Sequence, residues 1–146
     1  MQIKCVRKYS DAVLPTKAHE SDIGWDLVAI REHKVINENI IMYDTGIVTI
    51  PPKGYYIEIL PRSSISKTGW MLANSVGTID PEYRGNLYIV LTRVVKNMPK
   101  IELPFCNCQL VLRKIEKASL VEVTEEEIDI TERGSGGFGS TGSRTN

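Results

Sequence analysis

The chain has 146 residues, enough for one domain with its own core. Its 18 basic and 18 acidic side chains cancel, and 42% apolar with 25% charged residues is ordinary for a globular protein. That balance argues against broad nucleic-acid binding, which needs a basic face, though not against a local basic pocket.

No apolar run approaches the ~20 residues of a membrane span. The opening Met-Gln-Ile-Lys-Cys-Val-Arg lacks the apolar centre of a secretory signal. An intracellular protein, cytoplasmic or nuclear, is expected, with neither a membrane nor a nucleic acid as partner.

Taken in chain order, strand signals dominate. Residues 3–7 alternate in polarity, and 26–30, 45–50, 55–60, 87–95, 109–115 and 120–123 are aliphatic, aromatic or β-branched runs. Turn residues separate them, among them Pro51-Pro52-Lys53-Gly54, Lys67-Thr68-Gly69, Pro81-Glu82-Tyr83-Arg84-Gly85 and Asn97-Met98-Pro99. The spacing suits an all-β sandwich, jelly roll or barrel. No stretch has the period of an amphipathic helix of three turns; acidic residues 124–130 have room for one short turn. The expected body is residues 1–132. Residues 133–146, rich in Gly, Ser and Thr, form a tail whose composition predicts disorder unless a ligand or another subunit holds it.

Three cysteines, Cys5, Cys106 and Cys108, are an odd number in a chain with no visible signal, which points to free thiols. Two cysteines a residue apart, with both histidines distant, make a poor zinc site; thiols on strands are the expectation.

Four segments carry possible chemistry. In Ser21-Asp22-Ile23-Gly24-Trp25-Asp26-Leu27, two carboxylates flank a tryptophan; strand-end carboxylates can receive the waters of a bound Mg²⁺, while the plain reading is a core tryptophan between surface aspartates. Pro61-Arg62-Ser63-Ser64 ends an apolar strand with a guanidinium fork and hydroxyls, a sound way to hold phosphate oxygens, although such residues are also commonly just solvated. In Gly77-Thr78-Ile79-Asp80-Pro81-Glu82-Tyr83-Arg84-Gly85-Asn86, an Asp-Pro pair alone reads as a hairpin turn. It also puts a carboxylate beside an aromatic ring, a candidate general base beside a platform for a sugar, with the Asn74 amide nearby to read a base edge. Last comes Arg133-Gly134-Ser135-Gly136-Gly137-Phe138-Gly139-Ser140-Thr141-Gly142. It resembles a phosphate cradle but has no helix after it and no Gly-Lys-Ser/Thr, so it is not a Walker loop. Together the four suit a nucleotide with several phosphates.

The order and spacing of five motifs resemble the trimeric dUTP diphosphatases (dUTPases): Gly24-Trp25-Asp26-Leu27, Pro61-Arg62-Ser63-Ser64, the Gly77 to Asn86 segment, Cys108-Gln109-Leu110-Val111-Leu112 and the glycine-rich tail. The resemblance covers nearly the whole chain. It implies a distorted jelly-roll barrel or sandwich, a homotrimer with active sites at subunit interfaces, and a mobile tail that folds over bound dUTP. It implies hydrolysis of dUTP to dUMP and pyrophosphate, with Asp80 as general base on a water that attacks the α-phosphorus. It further implies that Arg62, Ser63, Ser64 and Gln109 hold phosphates, and that Asn74 with the backbone of Gly77, Thr78 and Ile79 reads uracil. The resemblance also implies that Tyr83 packs on deoxyribose and excludes a 2′-hydroxyl. In the tail, it implies that Phe138 covers the uracil, that Arg133 pairs with the terminal phosphate, and that Gly139, Ser140 and Thr141 approach the phosphates. Mg²⁺ is the implied cofactor, carried on the triphosphate, with Asp26 receiving one of its waters.

The chain departs from the family pattern in places. Ser64 stands where glycine is common, and Ser21-Asp22-Ile23 replaces small residues. Asn107 falls where an apolar side chain is usual, and so needs a partner if buried. Pro104-Phe105 replaces a tight turn, which must be built differently. Two rival readings stand beside this one: a dCTP deaminase-like enzyme, for which a catalytic glutamate in place of the Asp80 constellation is expected, and a non-catalytic nucleotide- or partner-binding protein on the same fold.

Overall fold

The computed structural model describes residues 1–142; residues 143–146 of the expected tail lie outside the described residues. Among the described residues, ten antiparallel strands form three sheets. They are β1 (Lys4–Arg7), β2 (Trp25–Ala29), β3 (Arg31–Asn37), β4 (Ile40–Asp44), β5 (Ile47–Ile50), β6 (Tyr55–Pro61), β7 (Trp70–Leu72), β8 (Gly77–Ile79), β9 (Tyr88–Arg93) and β10 (Phe105–Lys114). One four-stranded sheet has the order β2-β10-β6-β8, the second β3-β4-β9-β7, and β1 pairs with β5 in a third. The all-β expectation holds.

The core follows the period of two along strands. Leu27 and Ala29 on β2, Ile57 and Ile59 on β6, and Ile89 and Leu91 on β9 are buried at alternate positions. Trp70 is also core, its indole N–H donating to Pro99 O at 2.8 Å. Trp25 is only half-buried, with the Lys17 ammonium 4.1 Å above its ring. All three thiols are free and lie on strands, Cys5 on β1 and Cys106 and Cys108 on β10. Burial pushes the Cys108 thiol up to about 12.

The strand expectations need correction at five elements. β3 was not expected, because every residue of Arg31-Glu32-His33-Lys34-Val35-Ile36-Asn37 is exposed and shows no buried alternation. It is an edge strand whose charges suit an edge, held by its ladder to β4. β4 was missed as well; it precedes a turn at Gly46 (φ 65°), and the chain then resumes as β5. β7 and β8 have three residues each, too few to carry a period. Residues 120–123 were expected as a strand and pair with no strand among the described residues; Leu120 and Val121 are exposed. β propensity alone builds no strand without a partner ladder.

The strands and core belong to one unit, Met1–Ile115, and the chain from Glu116 on is a second. In the second unit the acidic stretch makes a single 3₁₀ turn, Glu125–Glu127, capped by Thr124, whose backbone N–H donates to Glu127 Oε2 at 2.9 Å. Among the described residues no helix is long and apolar enough to cross a membrane.

Candidate active site

β10 lies between β2 and β6, and its register sets Gln109 opposite Asp26 on one side and Leu60 on the other. Arg62 follows β6 directly and caps a 3₁₀ turn, Ser63–Lys67. This arrangement opens a cleft of about 270 Å³ lined by Asp22, Ile23, Gly24, Asp26, Arg62, Ser63 and Gln109. Three motifs far apart in sequence therefore meet in one place.

The guanidinium of Arg62 is held on two sides. Its Nε lies 3.1 Å from Asp26 Oδ1, and its Nη1 donates to Cys106 O at 2.9 Å, with Cys106 Sγ at 3.3 Å. Its backbone N–H donates to Asn107 O at 2.8 Å. A fork already oriented loses less entropy when it meets a phosphate. Gln109 donates to Pro61 O at 3.1 Å, and a Cβ on Gly24 would lie 2.1 Å from Gln109 Oε1, so a larger residue there would displace the Gln109 amide. Ser64 does not line the cleft; its hydroxyl accepts from Asn107 Nδ2 at 3.1 Å.

No cluster of three or more His, Cys, Asp or Glu among the described residues could cage a metal. The Asp26 carboxylate, 29% exposed and facing the cleft, suits an outer contact to a hydrated cation that arrives with phosphates.

The hairpin residues make a separate open cleft of about 550 Å³, lined by Asp80, Pro81, Glu82 and Tyr83. The turn is closed by Tyr83 N–H donating to Asp80 O at 3.1 Å, and Arg84 Nη1 donates to Pro81 O at 2.6 Å. Tyr83 Oη donates to Asn86 O at 2.9 Å. Asp80 is exposed. Asn74 lies in the link between β7 and β8, and Gly77, Thr78 and Ile79 are β8 itself, paired with Ile59, Glu58 and Ile57 of β6. Within the described chain, this cleft and the Arg62 cleft share no lining residue.

In the second unit, Arg133, Phe138, Gly139, Ser140 and Thr141 line one open concavity. Arg133 Nε donates to Gly136 O at 2.9 Å, Ser140 N–H donates to Gly137 O at 3.0 Å, and the Phe138 ring is fully exposed.

The sequence marked Asn107 as needing a partner, but the rest of the support beneath these groups was missed. Cys106 and Asn107 hold Arg62 and Ser64, and Asp44 and Tyr9 hold Asn86. A visible signal existed for Asn107, a polar residue within an apolar strand; Asp44 gave only an Asp-Thr-Gly at a strand end.

The dUTPase family model matches residues 10–142. The chain belongs to the dUTPase family. Among curated relatives, the deoxyuridine 5′-triphosphate nucleotidohydrolase of Fusobacterium nucleatum is 36% identical over 145 residues, covering 97% of each chain. That of Finegoldia magna is 37% identical, covering 97% of this chain and 99% of the relative. The solved dUTPase of Staphylococcus bacteriophage 80alpha with dUPNHPP is 25% identical with a TM-score of 0.76, covering 97% of this chain and 99% of that one. The all-β body is thus a dUTPase jelly roll, and the Arg62 cleft and the Asp80 hairpin are parts of a dUTPase chain.

Proposed function

We propose that this dUTPase-family protein hydrolyses dUTP to dUMP and pyrophosphate, with Asp80 as the general base. The observation that carries the reading is the division of groups between two clefts. One offers a pre-oriented Arg62 with Ser63 and Gln109, suited to phosphate oxygens; the other offers an exposed carboxylate beside a tyrosine. Because the clefts are separate in one chain, a complete site calls for more than one copy, which supports a homotrimer with sites between subunits.

Arg62, Ser63 and Gln109 hold the phosphates; Ser64, outside the cleft lining, is braced by Asn107 and keeps its hydroxyl proton free to donate to them. Asn74 and the backbone of Gly77, Thr78 and Ile79 read the uracil edge, and a wrong base leaves buried polar groups unpaired. The Tyr83 ring packs on deoxyribose and leaves no room for a 2′-hydroxyl. Asp80 accepts a proton from water as its oxygen bonds to the α-phosphorus; the α–β bridging bond breaks, and pyrophosphate leaves with the electron pair. Arg133, Phe138, Gly139, Ser140 and Thr141 close over the nucleotide and exclude other water. Asp26 would receive a water of a hydrated Mg²⁺ arriving with the triphosphate, and the ion would supply charge that offsets the phosphates. The reaction keeps uracil out of DNA and supplies dUMP.

The test is hydrolysis of dUTP, UTP, dTTP and dCTP with Mg²⁺ by the wild type and by Asp80→Asn. Only dUTP should yield its monophosphate and pyrophosphate, and the variant should lose about 10²-fold or more, the scale of general-base catalysis. A wild type that leaves dUTP intact, or that releases ammonia from dCTP, overturns the reading.

A further inference from the structure

Asp44 is a carboxylate the proposed reaction does not use, and it is nearly sealed at the end of β4, with 2% exposure. Burying a carboxylate is costly unless hydrogen bonds satisfy it. Here four contacts do so. Asn86 Nδ2 donates to both oxygens, at 3.0 Å and 2.9 Å. Gly46 N–H donates to Oδ1 at 2.7 Å, and the Tyr9 hydroxyl donates to Oδ2 at 3.3 Å. Beside this group, Arg31 lies 4.1 Å over the Tyr9 ring and is paired with Asp11 at 2.8 Å.

Asn86 is the hinge of the arrangement. Its side chain is fixed by Asp44, and its own carbonyl accepts the Tyr83 hydroxyl. The phenol is pressed against the chain it bonds to, since a Cβ on Gly85 would lie 2.3 Å from Tyr83 Oη. The ring is thus held at its root by the turn bond to Asp80 O and at its tip by a carbonyl anchored to a buried carboxylate.

We propose that Asp44 and Asn86 are a positioning pair that fixes the Tyr83 ring and so sets discrimination between deoxyribo- and ribonucleotides. Tight steric selection needs such a fixed wall: a ring free to tilt would admit the extra hydroxyl. The inference rests on the reading of Tyr83 as the sugar platform.

The experiment compares kcat/KM for dUTP and UTP in the wild type, Tyr83→Ala, Asn86→Ala and Tyr83→Phe. Tyr83→Ala should narrow the dUTP:UTP ratio. Asn86→Ala should narrow it in the same direction, by about fivefold, the rate equivalent of one typical hydrogen bond. A merely structural role for the pair would lower both substrates alike and leave the ratio unmoved. If Tyr83→Ala leaves the ratio unchanged, the sugar-platform reading falls and this inference with it. If Tyr83→Ala narrows the ratio while Asn86→Ala does not, the positioning pair is overturned and the platform stands. Should Asn86→Ala fail to fold, Tyr83→Phe breaks the same link from the other end and decides by the same ratio.

Discussion

Asn107 donates its side-chain amide to Ser64 Oγ at 3.1 Å, tying β10 to the 3₁₀ turn that follows Arg62. Both residues depart from the usual family pattern, and each supplies what the other needs. The polar Asn107 gains a partner, and the Ser64 hydroxyl, now an acceptor, keeps its own proton free to donate.

Asn107→Ala should therefore lower stability by about 1 kcal/mol, the net worth of one such bond with its partner left half-buried. In a Ser64→Gly background the same change should cost measurably less. Urea unfolding of the two single variants and the double variant reads the coupling; additive costs would mean that the two side chains do not support each other.

Arg62→Lys keeps the charge and loses the fork that reaches both Asp26 and the Cys106 carbonyl. KM for dUTP should rise about tenfold or more, the scale of one charged hydrogen bond. Steady-state kinetics with Mg²⁺ checks it, and an unchanged KM would remove Arg62 from phosphate binding.

Deleting residues 133–146 should cut kcat/KM for dUTP by about 10²-fold or more, comparable to losing one preset charge-stabilising group. Every buried core residue among the described residues lies within Met1–Ile115, so the unfolding midpoint should hold. Full activity in the truncated chain would end the closing-tail reading.

Glu58 accepts from Arg113 Nε at 2.8 Å and from Tyr56 Oη at 2.9 Å. The Arg113 bond, helped by Tyr56 and opposed by burial, holds its carboxyl below the ordinary 4.5. A folded-state value lowered in this way contributes stability that is present above 4.5 and lost as pH falls through the folded value. Glu58→Gln should therefore be least favourable relative to wild type near neutral pH, and the gap in urea midpoint should close in acid. A gap independent of pH would show that the ion pair adds nothing.

Much of this protein was legible in its sequence. Alternating apolar runs gave the all-β class because a strand half-buried in a sheet imposes a period of two on local sequence. Arg62, Asp80, Tyr83 and Gln109 stood out because the chemistry they offer is carried by the side chain itself, and because their motifs fall in a recognisable order. Other features had no local signature. β3 is entirely exposed and exists through its ladder to β4, while residues 120–123 have the propensity of a strand and pair with none among the described residues. The supports of the site are longer-range still. Asn86 reaches Asp44 across 42 positions, and Asn107 reaches Ser64 across 43. A hydrogen bond depends on where two atoms end up in space, and only the closing of the sheets decides which distant residues come within 3 Å of one another.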